Sequence, residues 1–219
     1  MRGEDTQRHR PLFLWLLAGI LALYAAVIGF GGSPVGIAMR LILLGLLIGV
    51  AAGLREGQSR QWWVAGGSAL MLAGSGFAVW LGSSTAGYAA VGACSTALIA
   101  AIMVNIAANL ARRRSVDLST VLGALCVYLL FALFFAGVHQ TLAAFTPGYL
   151  NGTANPPEPA DLLYFSVITL TTVGFGDITP AAEAARAVTV LEALVGQLYL
   201  VSVVAGVVSA ARTRRSDGQ

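Results

Sequence analysis

The chain has few charged residues, and none of its basic residues is lysine. Only 11% of its 219 residues are charged, while 57% are hydrophobic and the mean hydropathy is +0.78. A soluble domain of this length does not need so apolar a composition, and the values are typical of a membrane protein.

Cysteine and histidine are equally scarce. Cys94 and Cys126 lie inside apolar segments, so we predict no disulfide framework and no metal site, and we interpret both as small packing residues. His9 and His139 are the only histidines, and no pair of nucleophile and base stands out. We therefore expect no enzyme and no catalytic residues, and neither a nucleic acid nor a small-molecule substrate as a partner.

Long apolar segments dominate what is present. Each of six segments has about 19 residues or more, which is long enough to cross a bilayer. They are residues 12–30, 35–54, 62–81, 88–111, 119–143 and 186–211. We interpret the first as a retained helix rather than a secretory signal, because it is too long and no small-residue cleavage pattern follows it. The predicted fold class is an all-α membrane protein with six transmembrane helices.

The arginines predict the orientation. Eleven of the thirteen precede the first segment, join the second to the third, join the fourth to the fifth, or follow the sixth. Short loops rich in arginine stay in the cytoplasm, so both termini are predicted to be cytoplasmic, with residues 144–185 outside a cell membrane. The arginine-only composition, rich in alanine and glycine, indicates a bacterial source.

Residues 169–177, T-L-T-T-V-G-F-G-D, are the most informative segment. A dehydrated potassium ion needs oxygens in place of its water shell, and stacked rings of backbone carbonyls supply them. Carbonyls that point the same way require backbone conformations that glycine tolerates, which accounts for Gly174 and Gly176. The alternative is an ordinary turn between apolar elements.

The flanking segments favour a pore over a turn. Residues 161–171 would make about three helical turns, too few to span a bilayer, and residues 186–211 then form a long apolar segment. We therefore predict a re-entrant pore helix, with Asp161 as its N-cap, followed by a selectivity-filter loop between helices five and six.

The motif T-x-x-T-V-G-F-G-D resembles the selectivity filter of potassium channels. The order helix, pore loop, helix over residues 117–211 is similar to the pore domain of tetrameric cation channels, and the whole chain resembles six-helix potassium channels. The resemblance implies a homotetramer in membrane lipids that conducts K+ passively. It also implies that the permeant K+ binds at Thr172, Val173, Gly174 and Phe175, with Gly176 completing the filter.

The resemblance further implies a set of filter-supporting residues, of which some depart from the family pattern. Tyr164 and Phe165 stand where many relatives carry a Trp pair, Ile168 where some bacterial channels place Glu, and Phe175 where many have Tyr. We expect fewer polar struts behind the filter as a result, although Asp177 is expected to make a structural bond there. The supporting residues are Thr169, Thr171, Asp177, Tyr164, Phe165 and Ile168.

The last helix carries the gating candidates. Gly196 lies nineteen residues after Asp177, the spacing of a hinge glycine in this family, but close packing explains a glycine equally well. In the family register Gln197 would line the cavity, and an apolar ring would gate by dewetting. The ring would consist of Leu200, Val204 and Val208. Glu192 is an ionisable residue within the membrane and hence a functional candidate, expected to reach the outer interface or the rear of the filter.

The chain divides into residues 1–115, a sensor-like domain of four helices, and residues 116–219, the pore domain. A voltage sensor needs several arginines along its fourth helix, and residues 88–111 contain none, so we predict a channel that is not voltage-gated. Because few residues follow the last helix, we expect no cytoplasmic ligand domain. The alternatives are a weakly selective cation channel, which usually breaks the second glycine step, and a secondary transporter, which generally has internal repeats.

Overall fold

The computed structural model describes residues 4–30, 44–45, 47–49, 66–67, 84–111 and 118–216. The predicted segments 35–54 and 62–81 lie almost entirely outside these ranges, and the few residues described within them are helical. The elements, in chain order, are α1 (Glu4–Phe30), α2 (Thr85–Ala111), α3 (Leu118–Phe145), β1 (Leu150–Asn151), α4 (Pro159–Leu170), β2 (Thr179–Pro180) and α5 (Glu183–Ser216).

Four of the described helices are long and apolar enough to cross a membrane. The spans are Pro11–Gly29, Thr85–Ala111, Leu118–Phe145 and Glu183–Val203. The first three contain or nearly coincide with predicted segments, and the fourth covers residues 186–203 of the segment 186–211, so the expectation of an all-helical membrane protein agrees with the structure. The total of six spanning helices stays a prediction, because the second and third segments lie outside the described residues.

Helix α4 is too short to span. Its twelve residues give a rod of about 18 Å. Pro159 occupies the first helical position, where its missing N–H costs nothing, and Glu158 is the N-cap with extended backbone and no side-chain capping bond. The prediction that Asp161 is the N-cap was wrong, because the fixed φ of Pro159 starts the helix earlier. Asp161 instead lies in the first turn, where its charge complements the helix dipole.

Helices α2 and α3 pack together at a small-residue seam, which consists of Gly92, Thr96, Gly137 and Thr141. A Cβ at Gly92 would lie 2.7 Å from the Thr141 hydroxyl oxygen, and a Cβ at Gly137 would overlap the Thr96 hydroxyl. Such small residues allow two helix backbones to approach closely in a membrane. The seam therefore holds α2 directly against α3, the long helix that precedes α4 in the chain.

Helix α1 also packs against the second half of the chain. Phe13, Leu16 and Ile20 are fully buried in one apolar cluster with Leu130 of α3 and Leu163 of α4. At the same interface the Tyr24 hydroxyl donates a 2.6 Å hydrogen bond to the carbonyl of Leu129. The N-terminal helix is thus part of the packing around α4.

A second apolar cluster joins the last turn of α3, the first half of α4 and the start of α5 to the two short strands. It is formed by Ala143, Tyr149, Leu150, Leu162, Phe165, Ile178 and Ala185. Strands β1 and β2 pair antiparallel above it, with Leu150 opposite Pro180 and Asn151 opposite Thr179. The carbonyl of Tyr149 accepts hydrogen bonds from the N–H groups of Ala181 and Ala182, at 3.1 and 3.3 Å. These bonds join the loop before α4 to the segment that follows it.

Candidate functional site

The glycine-containing loop begins where α4 ends and is attached to the last turn of that helix. We call residues 172–177 the filter segment. The N–H of Thr172 donates to the carbonyl of Thr169 at 3.0 Å, while the N–H groups of Val173 and Gly174 both donate to the carbonyl of Ile168, at 2.9 and 3.2 Å. Helix carbonyls that would otherwise lack partners therefore hold the start of the filter segment. Ile168 acts through its backbone, so its apolar side chain does not prevent this role.

These bonds fix the direction of two carbonyl groups. In a planar trans peptide the C=O points opposite to the N–H of the next residue. Because the N–H groups of Val173 and Gly174 both point at Ile168, the carbonyls of Thr172 and Val173 both point away from α4. Two successive oxygens are thus presented on the same side, which an ordinary strand does not do.

Every second residue of the filter segment has a left-handed backbone. The φ angles are +58° at Thr172, +52° at Gly174 and +83° at Gly176. The alternation was predicted for the glycines, but the sequence analysis missed Thr172, because threonine rarely adopts this conformation. A strained non-glycine backbone of this kind costs about 1–2 kcal/mol and concentrates at functional sites.

Two hydrogen bonds of its hydroxyl hold Thr172 in place. The hydroxyl donates to the carbonyl of Thr171 at 2.7 Å and accepts from Nε2 of Gln197 on α5 at 3.5 Å. The Thr171 hydroxyl in turn donates to Val167 at 2.7 Å. Gln197 therefore lies beside Thr172, at the start of the filter segment, and its role as a cavity-lining residue stays a prediction.

The outer end of the filter segment is held by Tyr164 and by Gly152. The Tyr164 hydroxyl donates to Oδ2 of Asp177 at 2.8 Å, and this bond holds the pKa of the Asp177 carboxyl below its usual value. Tyr164 therefore supplies a polar contact behind the filter segment. The sequence analysis had not included this contact when it expected few polar groups there. Gly152, at φ +82°, approaches the Asp177 carbonyl so closely that a Cβ would overlap the oxygen.

Gly196 of α5 lies against the end of α4. A Cβ at this position would be 2.6 Å from Cδ1 and 2.9 Å from the carbonyl oxygen of Leu170. Close packing thus accounts for the glycine, and its use as a hinge stays a prediction. Leu200 is exposed in the single chain, while the side chains of Val204 and Val208 lie outside the described part of the chain.

A buried polar cluster lies beside α4, which we call the His139 cluster. Nδ1 of His139 is 2.8 Å from the Tyr149 hydroxyl, and Nε2 is 3.2 Å from Oε2 of Glu192. His139 and Glu192 are both fully buried. The second Glu192 oxygen, Oε1, and the hydroxyl of Ser166 are close to each other and buried without a hydrogen bond of normal geometry.

Of the two positions expected for Glu192, the outer interface does not agree with the structure, because its side chain is fully buried beside α4 with His139 as its partner. The sequence analysis had considered His139 only as a catalytic base and found no nucleophile for it. Two ionisable residues in spanning helices are expected to pair, and this signal would have linked them. Phe165 completes one side of the cluster, with its ring centroid 5.3 Å from that of His139 in an edge-to-face contact.

Comparison with known proteins finds similarity in the second half of the chain. Residues 123–213 match a family model described as an ion channel, and this segment contains most of α3, all of α4, the filter segment and most of α5. Together with the four apolar helices, the match supports a membrane-embedded ion channel rather than an enzyme.

One similar protein is Two pore potassium channel c of Oryza sativa subsp. japonica. It is 40% identical to this chain over 81 residues, a segment that covers 36% of this chain and 18% of the plant protein. The similarity is therefore limited to this 81-residue segment and does not extend over the whole of either protein.

Proposed function

We propose that the protein is a potassium-selective channel that conducts K+ passively across the cell membrane as a homotetramer. The observation that carries the proposal is the shared direction of the Thr172 and Val173 carbonyls, which follows from the two N–H bonds to Ile168. Four such strands around one axis would form rings of oxygens that replace the hydration shell of K+. The name of the similar plant protein, a potassium channel, supports the same ion.

The exposed apolar side chains of the filter segment and α5 support a tetramer. Phe175 is 71% exposed and Val173 51% exposed in the single chain, and Leu198 and Val201 of α5 are also exposed. A single carbonyl column cannot surround an ion, and side chains of this size beside a filter require cover from neighbouring copies. We infer that the filter side chains pack into the surrounding protein once four copies assemble.

The proposed channel is not voltage-gated and has cytoplasmic termini. Helix α2 contains no arginine along its 27 residues, whereas voltage sensing requires several charges that move through the field. In the proposed arrangement, Gln197 lines the cavity below the filter, Leu200, Val204 and Val208 form the apolar gate, and Gly196 packs α5 against α4.

The proposal is tested by reconstituting the purified protein in liposomes and recording single channels with a high K+ concentration on one side and a low K+ concentration, balanced by Na+, on the other. We expect discrete currents that reverse near the potassium equilibrium potential. Equal permeation by Na+ would instead indicate the weakly selective cation channel, and flux that depends on a second ion gradient without unitary currents would indicate the transporter.

A matched pair of glycine variants separates the filter from general effects. Gly176→Ala places a side chain at φ +83° and is expected to abolish selective current. Gly29→Ala lies in α1 with open space around the new methyl group and should leave the current unchanged. Native mass spectrometry of the same samples should give four copies, and a stable monomer that still conducts would contradict the proposal.

A further inference from the structure

The His139 cluster connects three helices and the loop that precedes β1. His139 belongs to α3, Ser166 to α4 and Glu192 to α5, while Tyr149 lies in the loop before β1. The filter carbonyls do not involve any of these side chains. We call residues 178–182, which follow the filter segment, the filter exit. Tyr149 contacts both the cluster and the filter exit, since its hydroxyl is hydrogen-bonded to His139 and its carbonyl accepts from the N–H groups of Ala181 and Ala182.

The two hydrogen bonds of the imidazole restrict where protons can sit. A buried net charge is costly in apolar surroundings, so the pair of His139 and Glu192 is expected to hold one acidic proton. Because Oε1 of Glu192 has no hydrogen-bond partner, we place that proton between Nε2 and Oε2, which makes either an imidazolium with a carboxylate or a neutral imidazole with a carboxylic acid. In both arrangements Nδ1 carries a hydrogen and donates it to the Tyr149 oxygen, whereas a proton on Oε1 would leave Nδ1 to accept from the Tyr149 hydroxyl.

The neighbouring groups do not add a charge to this pair. From α1 the nearest titratable group is Tyr24, which faces Glu192, and from the loop it is Tyr149. Burial, followed by the nearby Glu192, raises the pKa of Tyr149 above its usual range, so its phenol stays neutral. From α4 the facing groups are Ser166 and Phe165, which do not titrate. Among the described residues, the charge of the cluster is therefore set by His139 and Glu192.

We propose that His139 and Glu192 are positioning residues that share a single proton and thereby keep the filter exit, held through Tyr149, insensitive to pH. Gaining a second proton would leave a buried positive charge, and losing the shared one a buried negative charge. Both changes are resisted, so the pair stays neutral over a wide pH range. The inference rests on the proposed channel function for its effect on current, but the shared proton itself does not.

The conduction test compares inactivation of the potassium current across pH in four proteins. We expect the wild-type rate to change little between about pH 5.5 and about pH 8.5. In His139→Gln or Glu192→Gln one titratable group is left alone, and at least one of these variants should become pH-dependent, by up to about tenfold per pH unit where that group titrates. The double variant His139→Gln with Glu192→Gln should be flat again.

The adjacent Gln140 provides a matched control on the same helix. It is buried and donates to the carbonyl of Tyr88 at 3.3 Å, yet it carries no titratable group. Gln140→Leu is expected to change the inactivation rate without creating a pH dependence. A steep pH dependence in the wild type, or flat profiles in both single variants, would overturn the proposal.

A spectroscopic test does not depend on conduction. In protein labelled with 15N-histidine, the His139 resonance, assigned by its loss in His139→Gln, should show a protonated Nδ1 and an Nε2 shift between the protonated and bare limits. In Glu192→Gln the Nε2 resonance should move to one limit. An identical Nε2 shift in both proteins would refute the shared proton even if the channel conducts, and the expected shift in a protein without current would leave the pair intact while rejecting the channel.

Should the single variants fail to assemble, the double variant decides. Recovery of the assembled protein by the double variant supports the pair, because one group left alone is costlier than none. If all three variants fail, the wild-type nitrogen resonances decide, with that of His139 assigned as the one that remains in His9→Gln.

Discussion

The two halves of the described chain use different means of holding their helices. Around the filter segment, hydroxyl groups reach across elements to backbone or side-chain partners, as in the bonds of Tyr164 to Asp177, of Tyr149 to His139 and of Tyr199 to the Ala124 carbonyl. Helices α1 and α2 contribute mainly apolar side chains and the small-residue seam, and each adds one tyrosine hydroxyl bond to another element. The comparison teaches that directional bonds are concentrated where a backbone must be held in an unfavourable conformation.

The two halves meet at specific polar contacts as well as at the seam. The Tyr88 hydroxyl of α2 donates to the carbonyl of Pro157, just before α4 begins, and Tyr24 of α1 bonds to α3. We therefore infer that α1 and α2 act as a brace, by which we mean that they hold α3 and the loop before α4 in position.

The largest effect on current and stability is expected from Gly152→Ala, which tests the region around the filter segment. The new Cβ would overlap the Asp177 carbonyl at a backbone φ of +82°, so overpacking and left-handed strain together cost about 3 kcal/mol. We expect loss of potassium current and a lower melting temperature of the assembled protein. Gly148→Ala is the control, because its φ of +64° brings strain but no contact within 4 Å. If Gly148→Ala lost as much current and thermal stability as Gly152→Ala, the close approach of Gly152 to the Asp177 carbonyl would be contradicted.

A smaller effect is expected from Gly196→Ala, which distinguishes packing from a hinge. The methyl group would press on Leu170, and such overpacking costs about 1–3 kcal/mol. Thermal denaturation should show a lower melting temperature for Gly196→Ala. Gly206→Ala is the control and should melt like the wild type, because nothing lies within 4 Å of its new Cβ. Altered opening with unchanged thermal stability would favour the hinge instead.

The brace is tested by Tyr88→Phe, which removes one hydrogen bond and little else. A bond of this kind contributes about 1 kcal/mol, so inactivation should become several-fold faster while the preference for K+ over Na+ is retained. Tyr24→Phe removes a comparable bond to Leu129, remote from the loop that enters α4, and its inactivation should stay close to wild type. If inactivation were instead faster in Tyr24→Phe than in Tyr88→Phe, the first half of the chain would act through α1.

The smallest effect is expected from Tyr164→Phe and appears only in acid. In the native protein the Tyr164 bond lowers the pKa of the Asp177 carboxyl, so the stabilisation by this carboxylate is present above its unfolded pKa and lost as pH falls through the lower folded value. Without the hydroxyl the folded pKa rises towards about 4, and inactivation should accelerate at a less acidic external pH. Current recorded during stepwise external acidification measures the shift, and superimposable profiles for both proteins would contradict it.

Local patterns predicted much of the fold. The apolar segments 12–30, 88–111, 119–143 and 186–211 correspond to α1, α2, α3 and α5, because helix length and apolarity are properties of consecutive residues. The glycine alternation of the filter segment was equally visible, since only glycine adopts φ +52° and +83° at little cost.

The remaining features depend on contacts between residues distant in sequence. Thr172 adopts φ +58° because Thr169, Thr171 and Gln197 hold it. Glu192 is buried because His139, 53 residues earlier, meets it. Neither feature has a local signature. The start of α4 was misplaced for the opposite reason, since the proline at position 159 outweighed the capping preference of Asp161.

The packing of α1 has a consequence for biogenesis. The partner of Tyr24 lies 105 residues further along the chain, and Phe13 and Leu16 share their cluster with Leu130 and Leu163. During synthesis α1 cannot form these contacts until α3 and α4 have also been inserted, since contacts between residues distant in sequence form late. A nascent chain arrested before residue 118 would present this unmatched surface to lipid or to quality-control machinery, which makes α1 a reporter of completed insertion.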